Sequence, residues 1–148
     1  MNNNSRIDYY KTSPEAVKSM MSLDRYITNC GLDKLLLELI KLRASQINGC
    51  AFCVDLHCRD ALKAGESQRR INAVAVWHET PFFTPRERAG LAWTEAITLL
   101  SETHAPEELY QDVRAHFSEK ETVDLTMAII MINSWNRLAV SFRKLPSI

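Results

Sequence analysis

A chain of 148 residues with 46% hydrophobic and 24% charged side chains is long enough to bury a core without staples and too apolar to be disordered. Eighteen basic residues balance eighteen acidic ones, and the zero net charge removes the electrostatic basis for binding nucleic acid. The four cysteines fall unevenly at Cys30, Cys50, Cys53 and Cys58, which is not the pattern of a disulfide framework.

The stretch Met1–Arg6 has no apolar segment of the signal-peptide kind. The longest apolar run that stands out, Ala128–Ile132, is far below the roughly 20 residues of a membrane span. The expectation is a soluble, cytoplasmic chain with no membrane partner, in which a close cysteine pair serves catalysis or metal binding. Asp33 to Ile47 is rich in good helix formers, with Leu35, Leu39 and Leu42 on one stripe and Leu36, Ile40 and Ile47 widening it. Asn48-Gly49 stops this helix, and a second runs from about Cys50 to Lys63, closed by Gly65. A third covers Gln68 to Trp77. Pro81–Phe83 reads as an apolar loop before Thr84-Pro85-Arg86-Glu87, a capping box that opens a helix through Leu100. Ser118–Glu121 is another capping box, and the long final helix it opens looks buried on nearly every side between Met127 and Ile132. Sustained period-two alternation is missing, so the fold class is all-α, with residues 1–148 as a single domain.

The segment Cys50-Ala51-Phe52-Cys53-Val54-Asp55-Leu56-His57 carries the chemistry. At about 100° per residue, the two sulfurs and the imidazole fall within roughly 60° of arc on one helix face. Gly49 puts both cysteines in the first turn, where free N–H groups and the helix dipole favour a thiolate. By that criterion alone Cys50, nearest the helix end, is the more reactive sulfur. His57 can serve Cys53 as a base or as a neighbouring cation. Two readings compete: buried small hydrophobes, and a zinc site of Cys50, Cys53 and His57 that lacks a fourth ligand. Cys30 and Cys58 read as structural or incidental; His78, His104 and His116 as surface or satisfied loop groups; Trp77, Trp93 and Trp135 as core.

Glu38 followed by Ser45-Gln46-Ile47-Asn48-Gly49-Cys50-Ala51-Phe52-Cys53-Val54-Asp55-Leu56-His57 resembles the AhpD-like alkylhydroperoxidases of the carboxymuconolactone decarboxylase superfamily. Weaker similarity continues through Arg86–Glu95 and Asn133–Arg137. The resemblance implies an all-helical bundle of about six to seven helices, assembled as trimers or hexamers. It also implies reduction of a hydroperoxide at the expense of a thiol or dithiol donor, in antioxidant defence and with no cofactor. Cys53 would be the peroxidatic thiolate, Cys50 the resolving cysteine, nearer the surface for exchange with the donor, and His57 with Glu38 the proton relay. The i, i+4 pairing of Cys53 with His57 favours this order over the one from helix position. For Glu38 the plain reading is a solvated salt-bridging face beside Lys34 and Lys41. One departure is Phe52, where the best-known members carry a second histidine; many members of the looser group carry an aromatic residue there. The other functions to weigh are a decarboxylase-type lyase, which needs no cysteine pair, and a non-enzymatic redox- or metal-responsive protein. The apolar final helix and Phe82-Phe83, which one small domain would leave partly uncovered, also point to an oligomer.

Overall fold

The computed structural model describes residues 5–146, and those residues contain nine α-helices, one 3₁₀ segment and no strand. The helices are α1 (Tyr9–Thr12), α2 (Pro14–Thr28), α3 (Lys34–Ile47), α4 (Ala51–Lys63), α5 (Gln68–Ala73), α6 (Pro85–Thr98), α7 (Leu100–Thr103), α8 (Glu107–His116) and α9 (Glu119–Ser141). Six of them have ten or more residues, in line with the expected bundle. The helix expected over 68–77 is divided: α5 passes into a 3₁₀ segment, Val74–Glu79, at a kink at Val76.

Local chemistry sets the boundaries. The Asp33 carboxylate accepts the Leu36 N–H at 2.9 Å and starts α3. Thr84 with Glu87 and Ser118 with Glu121 form full capping boxes at the starts of α6 and α9.

Helix α3 is the hub, because its apolar residues are wide enough to be buried on two sides. Leu36, Leu37 and Ile40 pack against Trp93 of α6 and Leu125 and Ile129 of α9. Leu39 and Leu42 face the other way, onto Ala61, Ile71, Val74, Trp77 and Leu91. Gly90 allows α3 and α6 to approach: a Cβ there would lie 3.2 Å from Leu36 Cδ1.

Two expectations about apolar surface are corrected. Phe83 is buried in the second core cluster and Arg70 lies over its ring, while Arg69 covers Phe82. Those rings therefore have cover within the chain. In the final helix Ala128, Ile129, Met131 and Ile132 are buried, but Ile130 is 44% exposed because it lies on the face of α9 turned away from α3.

Polar side chains fasten α9 to the end of α3. Asn48 Nδ2 donates to Asn133 Oδ1 at 3.0 Å and to Asn136 Oδ1 at 2.9 Å. Asn136 Nδ2 donates to Ser45 Oγ at 3.0 Å, and Ser45 Oγ donates to the Lys41 carbonyl at 2.7 Å. Removing one member strands buried partners, which costs about 1–3 kcal/mol. Asn136→Ala is therefore expected to lower the unfolding free energy by about that amount in a urea titration, with an unchanged m-value.

Candidate active site

The turn between α3 and α4 is built for close geometry. Asn48 ends α3, Gly49 takes a left-handed φ of +63°, and the Cys50 N–H donates to the Ser45 carbonyl at 3.0 Å. Cys50 is extended and caps α4, its sulfur accepting the Cys53 N–H at 3.3 Å. Cys50 and Cys53 are joined as a disulfide, with Cα atoms 5.4 Å apart.

Neither sulfur is at the surface: Cys50 is 1% exposed and Cys53 3%. The expectation that Cys50 lies nearer the surface is therefore overturned. It packs under Ala139 and Phe52, and the Lys144 ammonium sits 4.3 Å from the centre of the Phe52 ring. Lys144 also lies 4.2 Å from the Tyr10 ring, and Tyr10 stacks on Trp135. The chain's two terminal segments thus cover the helix start that carries the pair.

Access is through a cavity of about 380 Å³, lined by Cys53, His57, Glu38, Lys41, Tyr10 and Trp135 among others. Cys50 is not on its wall. Of the three tryptophans expected in the core, Trp77 and Trp93 are buried there, whereas Trp135 forms part of this wall.

Glu38 is not a solvated surface carboxylate. Its Oε2 lies 2.8 Å from His57 Nδ1 and its Oε1 lies 3.0 Å from Lys41 Nζ. Burial alone would raise its pKa, but the hydrogen bonds from His57 and Lys41 and the positive charges there more than offset this and hold the carboxyl below the usual glutamate range. A carboxylate only accepts, so the proton on this bond belongs to His57 Nδ1; in the neutral imidazole that arrangement leaves the lone pair on Nε2.

Glu38, His57 and Asp60 also offer ligand atoms within 4.8 Å of one another. Each Glu38 oxygen already accepts one hydrogen bond, from His57 or from Lys41, and the Lys41 ammonium at 3.0 Å opposes a cation there. The sulfurs of the other zinc reading are bonded to each other.

The remaining candidates lie elsewhere. Cys58 packs beside the second core cluster, where burial and then the Asp55 charge push its thiol up, away from the reactive thiolate. Cys30 packs at the edge of the first cluster. His78 pairs with Glu95 at 3.2 Å, and His116 lies 3.9 Å from Asp112. Sequence reasoning missed Tyr10 and Lys144, which reach the site from segments with no local motif. It noted Lys41 only as a possible surface partner, although the i, i+3 spacing to Glu38 was a usable signal.

Residues 14–96 match the carboxymuconolactone decarboxylase family. The chain belongs to that family. Within it, a Bacillus subtilis relative named YdfG is 44% identical over 136 residues, 92% of each chain, and is uncharacterised. A solved Agrobacterium tumefaciens protein of unknown function, for which an AhpD antioxidant defence role is only suggested, is 48% identical. It superposes with a TM-score of 0.96 over 98% of this chain and 99% of that one. The AhpD resemblance drawn from the cysteine motif holds in sequence as well: a Coxiella burnetii alkyl hydroperoxide reductase AhpD is 46% identical over 48 residues. That is 32% of this chain and 27% of that protein. The fold also recurs at 18% identity and a TM-score of 0.80 in a debrominase, Bmp8, over 93% of this chain and 74% of that one.

The Glu38 arrangement sets a pH dependence. A carboxyl whose folded value is depressed contributes stability that is full above its ordinary value and is lost as pH falls through the depressed one. Unfolding free energy should therefore fall with acid in the wild type, and fall less steeply in Glu38→Gln, which removes the titrating carboxyl and keeps a single acceptor oxygen. Glu95 has the same sign from its Trp77, Arg43 and His78 bonds, which outweigh its burial, and with Glu121 contributes to the slope that remains.

Proposed function

We propose that this chain is a cytoplasmic thiol-dependent peroxidase that reduces organic hydroperoxides in antioxidant defence. The observation that carries the reading is one cavity wall presenting Cys53, His57 and Glu38, with Cys50 within disulfide reach of Cys53. The AhpD relatives agree with it in family and fold.

The cycle starts from the dithiol. His57 Nε2 takes the Cys53 proton, and Glu38 stabilises the resulting imidazolium through the Nδ1–H bond. The thiolate attacks one peroxide oxygen: an S–O bond forms, the O–O bond breaks, and the electron pair leaves on the alkoxide. Sulfur is oxidised by two electrons and the peroxide reduced by two. His57 returns its proton to the alkoxide, so Cys53 becomes a sulfenic acid and the product is an alcohol. The Cys50 thiol then attacks the sulfenic sulfur, releasing water and closing the disulfide. A thiol or dithiol donor reopens it by exchange. Cys53 takes the peroxide because it lines the cavity, and Cys50 resolves because it does not.

Reduced protein given one equivalent of organic hydroperoxide should lose two thiols per peroxide consumed. Cys53→Ser and Cys50→Ser should each abolish donor-dependent turnover, while Cys58→Ser should turn over like the wild type. Undiminished turnover by Cys53→Ser would refute the assignment.

The same reading includes a homo-oligomer, a trimer or hexamer. Val123 and Ile130 lie seven residues apart on one exposed face of α9, an apolar stripe of the kind that a second copy covers. Sedimentation at micromolar concentration should give a mass above 16.9 kDa; monomer mass throughout would refute this.

A further inference from the structure

Lys41 is 7% exposed, an unusual position for a lysine, and its ammonium has one protein partner among the described hydrogen bonds, Glu38 Oε1 at 3.0 Å. An ammonium carries three N–H donors. Two of them are thus without a protein acceptor, on a side chain that lines the same cavity as Cys53 and His57. A buried donor left without an acceptor is costly, and a cavity wall is a place where a ligand oxygen can supply the acceptor.

The proposed reaction creates a need for such a donor. Breaking the O–O bond leaves a full negative charge on an alkoxide, which is a far stronger base than a thiolate. His57 has one nitrogen free for proton traffic, since Nδ1–H is bonded to Glu38, and at the moment of attack that nitrogen holds the Cys53 proton. A second cation fixed nearby can hold the charge as it develops. A preorganised donor in a site shielded from water does this without reorganising.

We propose that Lys41 is a catalytic residue of this site, its ammonium donating a hydrogen bond to the leaving oxygen of the bound hydroperoxide while the O–O bond breaks. This inference rests on the peroxidase reading. Glu38 then has two tasks from one carboxylate: Oε2 orients His57 toward Cys53, and Oε1 holds Lys41 at the cavity. No additional reactant enters, since the alkoxide still receives its proton from His57 and Lys41 is unchanged at the end of the step.

The test is a leaving-group series on pre-reduced protein, mixed rapidly with tert-butyl hydroperoxide, cumene hydroperoxide and peracetic acid. Acetate is a weak base and needs little help to leave; tert-butoxide needs much. Lys41→Met, which keeps an unbranched stem without the charge, should slow the tert-butyl and cumene reactions by about a hundredfold, the size typical of a lost oxyanion donor. The peracetic acid rate should fall by only a few-fold, and alkylation of Cys53 by iodoacetamide should stay within about twofold of wild type, since that step makes no alkoxide. If Lys41→Met does not fold, Lys41→Gln is read in the same series for the same steepening. Equal slowing with every peroxide and with iodoacetamide would mean that Lys41 only holds Glu38 and His57 in place, and would overturn the inference. A wild-type protein that consumes none of the peroxides would instead remove the peroxidase reading and this inference with it.

Discussion

The contact on which the site depends is the one that Glu38 makes across the α3–α4 junction. Its carboxylate is bonded at 2.8 Å to His57 of the neighbouring helix and at 3.0 Å to Lys41 of its own. Without that bridge, and among the described hydrogen bonds, the Lys41 ammonium and the His57 Nδ1–H would each lose their bonded acceptor, and burial would then disfavour keeping both in place. With it, three ionisable groups are held together and the imidazole is fixed in one tautomer. Helix α3 can supply Glu38 and Lys41 only because the rest of its circumference is anchored: Leu36, Leu37 and Ile40 on one side, Leu39 and Leu42 on the other. The hydrophobic core and the polar site are two faces of the same helix.

A second constraint fixes the turn. A Cys-X-X-Cys pair at the start of a helix is useful only if the chain can open and close the bond without losing the geometry of the cavity. Here the flanking residue Asn48 is held by Asn133 and Asn136 of α9, and Asn136 is held in turn by Ser45. These bonds involve neither sulfur, so opening the pair breaks none of them directly. Between those bonds and the cysteine pair lies Gly49, the residue that tolerates the left-handed backbone of the turn.

What could be read from the sequence follows from range. Cys50, Cys53 and His57 lie within one helix, so periodicity alone aligned them, and the caps at Asp33, Thr84 and Ser118 were legible as local motifs. Glu38 could be joined to them only through the family resemblance, since a contact between helices leaves no trace in spacing; its plain local reading was a solvated carboxylate. Tyr10 comes from α1, and Trp135 and Lys144 from α9 and the residues just after it; no local motif in either segment announces a cavity. The burial of Cys50 was invisible for the same reason, because Phe52 and Ala139 are what cover it. Asn133 and Asn136 were the missed opportunity: two amides at the end of an otherwise apolar helical run must find partners, and the partners lie beside the cysteine turn.

The two sulfurs end in different surroundings although they are three residues apart. Cys50 receives the one backbone N–H aimed at a sulfur, from Cys53 at 3.3 Å, and has no share of the cavity. Cys53 has the cavity and, one turn on, the imidazole. A sulfur stabilised by a helix N-terminus has its thiolate form favoured, and a favoured thiolate is both the better leaving group when a donor attacks the disulfide and the weaker nucleophile in attack. That argues for a donor thiol attacking Cys53, the sulfur it can reach, and expelling Cys50. The reading from helix position alone, which favoured Cys50 as the reactive sulfur, identified a stabilisation that the proposed cycle uses at a different step. In the proposed cycle, capping makes Cys50 easy to expel and the cavity makes Cys53 the atom that meets both peroxide and donor.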